Sequence, residues 1–187
     1  MSTTSTTSEL LLAQLACEPF TGVPHERVLI GGLGLGFSLK RVLEMVGKGA
    51  TVHVAELLPE VVAWNRELLG KVNGALLDDS RVKVFAEDIF DVIRRGGTAP
   101  YDAMLLDVDN GPTSFVQPKN SRLYDRHGFH LIARALKPGG RATFWSAAEE
   151  RLFFRRLTQA GFKVEAVGAK AHDRSKRFAH WIYVADR

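Results

Sequence analysis

The stretch Arg27-Val28-Leu29-Ile30-Gly31-Gly32-Leu33-Gly34-Leu35-Gly36 decides the fold. Val28–Ile30 is a short apolar strand that runs directly into a glycine turn. Beyond the turn Leu35, Leu39, Val42, Leu43 and Val46 recur at helical spacing, up to a stop at Gly47 and Gly49. In a strand–turn–helix context, glycines let the backbone approach a ligand closely, and the helix start offers unpaired N–H groups to a carboxylate or phosphate. Gly32, Gly34 and Gly36 are therefore candidate nucleoside-contacting positions. Glycines that serve only close strand-to-helix packing would read the same, so the surrounding pattern has to decide.

Downstream, apolar strands alternate with helical stretches. Thr51–Ala55 is a second strand, and Pro59 suits the first position of a helix through Leu69. Arg81–Phe85 is a third strand, Asp88–Arg95 a short helix, and Ala103–Leu106 a fourth strand whose unbroken apolar run suits a sheet centre. Leu131–Leu136 belongs to a helix, Lys137-Pro138-Gly139-Gly140 breaks it, and Ala142–Trp145 is a fifth strand. A helix over Glu149–Ala160 precedes two strands, Phe162–Val167 and His180–Ala185, which read as an antiparallel pair. The pattern predicts an α/β three-layer sandwich on a seven-stranded, mostly parallel sheet with a C-terminal antiparallel strand pair. Upstream, residues 1–7 read as a disordered polar lead, and Ser8 can cap a short helix over residues 9–17 that Pro19, Gly22 and Pro24 stop. The expected organisation is thus a lead and short helix over residues 1–25, followed by one domain over residues 26–187.

Composition narrows the function classes. The chain has 187 residues, a single cysteine, and 25 Lys and Arg against 21 Asp and Glu, the balance of an ordinary globular domain. Cys17 alone cannot form an intramolecular disulfide, which points to a reducing, cytoplasmic setting. No apolar run approaches a membrane span, and the run Leu10–Ala16 follows Glu9 with no Lys or Arg before it, unlike a signal peptide. Residues 151–187 carry nine basic residues against Glu165, Asp173 and Asp186. These charges spread over a helix, a loop and a strand, which reads as a solvated face in preference to a nucleic-acid footprint. The six histidines show no metal-ligand spacing, so no metal is expected and each reads as surface or packing.

Acidic residues at strand ends supply the candidate chemistry. Glu56 stands 20 positions after Gly36, at the end of the second strand, where a carboxylate can accept hydrogen bonds from both ribose hydroxyls of a nucleoside. Glu87 and Asp88 follow the third strand and can reach an adenine amino group; Asp88 serves equally well as a helix cap, and the two roles can coexist. Asp107-Val108-Asp109-Asn110-Gly111-Pro112 follows the fourth strand, beside the glycine turn in such a sheet. Gly111-Pro112 explains a turn, whereas two acids and an amide exceed what a turn needs. Asp107, Asp109 and Asn110 are the catalytic candidates, and Trp145 can wall a pocket, although a core tryptophan is commoner.

These segments together resemble the class I S-adenosylmethionine-dependent methyltransferase superfamily, and within it the spermidine-synthase-like branch. The resemblance covers about residues 26–187, through RVLIGGLGLG, HVAELLPEVV, RVKVFAEDIFDVI, YDAMLLDVDNGP and LKPGG. It implies a Rossmann-like domain that binds S-adenosylmethionine or its decarboxylated form, with Glu56 as the ribose acid and Glu87-Asp88 on the adenine side. It also implies a small-molecule acceptor such as an amine, and leaves a homodimer open. Polyamine synthases carry an acid inside the glycine loop where this chain has Gly34, and their second catalytic-loop acid falls on Asn110 unless Asp109 takes its place. Their small N-terminal β-domain finds no room in residues 1–25. Gly34 suits the carboxylated donor, so the expectation is methylation of a small amine or similar nucleophile, with Asp109 as base and Asp107 toward the donor's ammonium. The alternatives are aminopropyl transfer from decarboxylated S-adenosylmethionine, or a noncatalytic nucleoside-binding module.

Overall fold

The computed structural model describes all residues except 1–5, 109–117, 171–174 and 176, so Asp109 and Asn110 and most of the polar lead lie outside the described residues. Seven strands form one sheet: β1 (Arg27–Gly31), β2 (Thr51–Ala55), β3 (Val82–Phe85), β4 (Tyr101–Leu106), β5 (Leu136–Ser146), β6 (Lys163–Lys170) and β7 (Phe178–Asp186). Their order is β3-β2-β1-β4-β5-β7-β6. Pairing is parallel from β3 through β5, and β7 is antiparallel to both β5 and β6. This is the Rossmann-like sheet that the alternating pattern predicts, with its switch point between β1 and β4.

Strand alternation builds two cores. Val28 and Ile30 face one layer with Val52, Val54 and Leu105, covered by α1 (Thr7–Cys17), α2 (Phe37–Met45) and α3 (Pro59–Glu67). Leu29, Met104 and Leu106 face the other, covered by α5 (Ile89–Gly96), α6 (Arg126–Ala135) and α7 (Arg151–Gln159). The central strand β4 is buried along its whole length, as its apolar run requires.

Several local expectations are corrected. The first helix starts at Thr7, before Ser8, and the Ser8 hydroxyl donates to Glu9 Oε2 at 2.8 Å instead of capping the helix. That helix is part of the core: Leu12, Ala13, Ala16 and Cys17 are buried among sheet residues. Lys137–Gly140 lies within β5. While β4 advances from Tyr101 to Ala103, β5 advances from Leu136 to Arg141, so the glycines form a bulge in the strand. Gly139 stands at φ +77°, and the chain end closes this bulge through Gly139 N to Arg187 O and Arg187 N to Gly140 O. The helix expected through Leu69 stops at Glu67, and a one-turn α4 (Gly70–Asn73) follows.

His53 bears out the packing reading. It contacts the Phe85 ring edge-on at 5.0 Å and pairs with the Tyr101 hydroxyl at 2.8 Å. Burial, then Arg27 and Lys83, push its pKa down to about 4. Burial likewise pushes the Cys17 thiol up to about 12. Among the described residues no helix is long and apolar enough to cross a membrane.

Candidate functional site

Four strand ends converge on the glycine turn because the sheet's backbone ladder continues past the strands. Gly32 N donates to Ala55 O at 2.9 Å, Glu56 N to Phe85 O at 3.0 Å, and Asp107 N to Gly31 O at 3.0 Å. The three residues that follow β1, β2 and β4 are therefore locked side by side at the carboxyl edge.

The turn itself requires glycine. Gly32 has φ +90°, and a Cβ there would stand 2.4 Å from the Asp107 carbonyl oxygen. Gly36, at φ +85°, precedes α2, whose first turn carries no side-chain cap. Two asparagines that sequence reasoning missed hold the turn from outside. Asn65 Nδ2 donates to Gly34 O at 2.8 Å and to Val61 O at 2.9 Å, and Asn73 Nδ2 donates to Leu35 O. Both are buried, and each bonds a carbonyl more than 30 residues away, which no local sequence signal marks.

Glu56 is 9 % exposed and points back to this turn. Its Oε2 accepts from Leu33 N and its Oε1 from Leu58 N, each at 2.9 Å. Each carboxylate oxygen keeps a second lone pair, so the group can still accept from two ligand hydroxyls.

The two acids that follow β3 differ in their partners. Asp88 caps α5 by accepting from Phe90 N at 2.9 Å, and it also pairs with Arg122 Nη2 at 2.6 Å. Arg122, 34 residues away and not singled out in the sequence, lies over the Phe90 ring at 4.2 Å. Glu87 is partly exposed and pairs with Arg95, whose hydrogen bond holds the carboxyl below its usual range.

Asp107 is partly buried at the end of β4. Among the described residues no cation pairs with it. Burial, with the negative charge of Glu9 adding to it, pushes its pKa up to about 7. A carboxyl with that value exchanges a proton near neutrality. Gly32, Gly34, Gly36, Glu56 and Asp107 thus share one edge, and Asp88 joins them through the end of β3.

A model of the spermine/spermidine synthase domain matches residues 15–159. The chain belongs to that family. A polyamine aminopropyltransferase of Mycobacterium tuberculosis is 36% identical over 115 residues, which covers 60% of this chain and 21% of the relative. The chain therefore spans about a fifth of that relative's length. Among solved structures, spermidine synthase from Thermotoga maritima superposes with a TM-score of 0.70 at 18% identity, covering 96% of this chain and 60% of that one. Human methyltransferase-like protein 13 in complex with SAH gives 0.69 at 19% identity, covering 96% and 79%. These last two establish the shared fold of the family domain.

Proposed function

We propose that this spermine/spermidine synthase domain transfers an aminopropyl group from decarboxylated S-adenosylmethionine to an amine. The observation that carries the reading is Asp107, a partly buried acid at the end of β4, beside the glycine turn, with a pKa near neutrality. The names of the relatives support it over the methyl transfer expected from Gly34. That expectation rested on the missing acid in the glycine loop, a single position.

In this reading Glu56 accepts from the ribose hydroxyls, Gly32, Gly34 and Gly36 allow the backbone to approach the donor, and Asp88 and Glu87 face the adenine. Asp88 reaches the adenine only as its contact with Arg122 allows. The donor supplies a sulfonium, so the leaving group already carries the positive charge and needs no acid. The acceptor nitrogen's lone pair forms the new N–C bond, the C–S pair returns to sulfur, and the proton released by the nitrogen passes to Asp107. Asp109 and Asn110 belong to the same loop and are proposed to align the acceptor. Alignment and a positioned base are the two terms the protein contributes. The free, buried Cys17 is compatible with a cytoplasmic setting.

The test is product identity. Incubation with decarboxylated S-adenosylmethionine and a panel of di- and polyamines should release methylthioadenosine and an aminopropylated amine. S-adenosylhomocysteine formed from S-adenosylmethionine would establish methyl transfer instead, and tight methylthioadenosine binding with no product would establish a binding module. Glu56→Gln should weaken methylthioadenosine binding about ten- to hundred-fold by calorimetry, the loss of one charged hydrogen-bond partner of about 1.5–3 kcal/mol. Unchanged affinity would remove Glu56 from the site.

A further inference from the structure

Asp88 is tied to a residue 34 positions away whose own place is fixed by the core. Arg122 lies in the short 3-10 helix Pro118–Leu123. The two residues after it, Leu123 and Tyr124, are buried, and the Tyr124 ring meets Phe153 edge-on at 5.7 Å. Gly128 closes on the same backbone from α6, where a Cβ would run into the Arg122 and Leu123 carbonyl oxygens. With its backbone held on both sides, Arg122 lays its guanidinium over the Phe90 ring, Cζ 4.2 Å from the centroid. Stacking fixes the plane of a guanidinium, and its N–H groups donate within that plane. Nη2 accordingly donates to Asp88 Oδ2 at 2.6 Å. Among the described residues this is the hydrogen bond the guanidinium makes, and its Nε is buried without a partner.

Both oxygens of Asp88 are therefore placed. Oδ1 accepts from Phe90 N at 2.9 Å and Oδ2 from Arg122, and the side chain is 16 % exposed. Each oxygen keeps a second lone pair, and an ionised carboxylate can only accept. Ala55 pairs with Phe85, so Glu56 and Asp88 leave neighbouring strand ends and can serve the two ends of one nucleoside. We propose that Arg122 is a positioning residue of this site, acting through Asp88 to make it select a 6-amino purine over a 6-oxo purine. The inference rests on the reading of Asp88 as the adenine-side acid. A carboxylate locked as an acceptor welcomes an amino N–H and leaves a carbonyl oxygen facing another acceptor, which a buried site penalises. Released from Arg122, Oδ2 loses its fixed direction, and the carboxyl can turn or take up a proton and donate to the oxo group.

The experiment compares methylthioadenosine with methylthioinosine, its 6-oxo counterpart, by calorimetry on the full chain. The parent should prefer the amino nucleoside. Arg122→Met keeps an apolar stem on Phe90 but no donor, and should cut that preference about ten-fold, the loss of one charged hydrogen-bond partner. Arg122→Gln carries the same expectation if the methionine variant does not fold, and Arg122→Lys, which keeps a charged donor without the planar fork, should fall between. Glu56→Gln should weaken both nucleosides alike and leave the preference intact, which a ribose contact requires. Asp88→Asn, which keeps a helix cap, should lose the preference, and adding Arg122→Met to it should change nothing further. A parent that binds neither nucleoside overturns the nucleoside-site reading itself. A parent without preference, or an unchanged preference in Arg122→Met, overturns this proposal and leaves that reading standing. Tighter methylthioadenosine binding by Arg122→Met overturns it as well, because Arg122 would then block Asp88 instead of presenting it.

Discussion

Strand β4 carries an acid near each end, and the two live in opposite environments. Asp102, at the amino edge of the sheet, is 5 % exposed and fully employed. It accepts from Arg27 N at 2.8 Å and from Lys137 Nζ at 2.7 Å. Asp107, five residues on, faces the glycine turn with no described cation and with the charge of Glu9 set against it. At the amino edge, carboxylates are tied to neighbouring chain: Asp79 binds the Arg81 guanidinium, and Glu26 Oε1 accepts from Gly47 N. At the carboxyl edge, the β4 acid is left with a proton to exchange. Identical side chains near the two ends of one strand thus divide into a structural clamp and a carboxyl held above its usual range, and the difference lies in what surrounds them.

That contrast can be broken most severely at the turn. Gly32→Ala should cost about 3 kcal/mol or more, because its Cβ would meet the Asp107 carbonyl at 2.4 Å and φ is +90°. Urea unfolding measures the loss, and nucleoside binding should vanish with it. A variant of parental stability would show that the carboxyl edge yields more easily than its packing implies.

Asp102→Ala tests the clamp. It removes the charged partner of Lys137 and the acceptor of Arg27 N, and should destabilise by about 2–3 kcal/mol in urea, with methylthioadenosine affinity unchanged. A matching loss of affinity would mean that the two ends of β4 are not independent.

Asp107→Asn tests the other end and should carry the opposite sign. The folded-state pKa, about 7, lies above the unfolded value of 3.8, so the folded protein binds the extra proton between them and stability falls as pH rises through that window. The asparagine variant escapes this penalty. It should be more stable than the parent at pH 8 by about 2 kcal/mol, less than the ~4 of a full shift because water reaches a partly buried carboxyl. The gain should disappear at pH 4. Thermal unfolding at the two pH values decides it, and equal stabilities throughout would deny Asp107 its raised pKa.

What was legible in the sequence was local. Glu56 follows its strand by one residue, so its place was fixed once Thr51–Ala55 was read as a strand. Asp88 caps the next helix within three residues, and the structure confirms the cap. Lys137–Gly140 reads in sequence only as a helix break, because Pro and Gly signal turn and bulge alike, and only the pairing of β5 with β4 and with Arg187 shows a bulge within a strand. Arg122 on Asp88 and Asn65 on Gly34 join residues more than 30 positions apart, and local pattern contains no measure of such a distance.

By itself the sequence determined the strand–turn–helix unit, the alternation that makes a parallel sheet, and the antiparallel ending, since backbone dihedral preference and apolar period act between near neighbours. The tertiary structure decided that α1 is a wall of the core, that Asp102 is a clamp, and that Asp107 is poised near neutrality. Burial and Coulomb interaction depend on separation in space, and Leu15 and Arg141, 126 residues apart, meet only when α1 packs along β5.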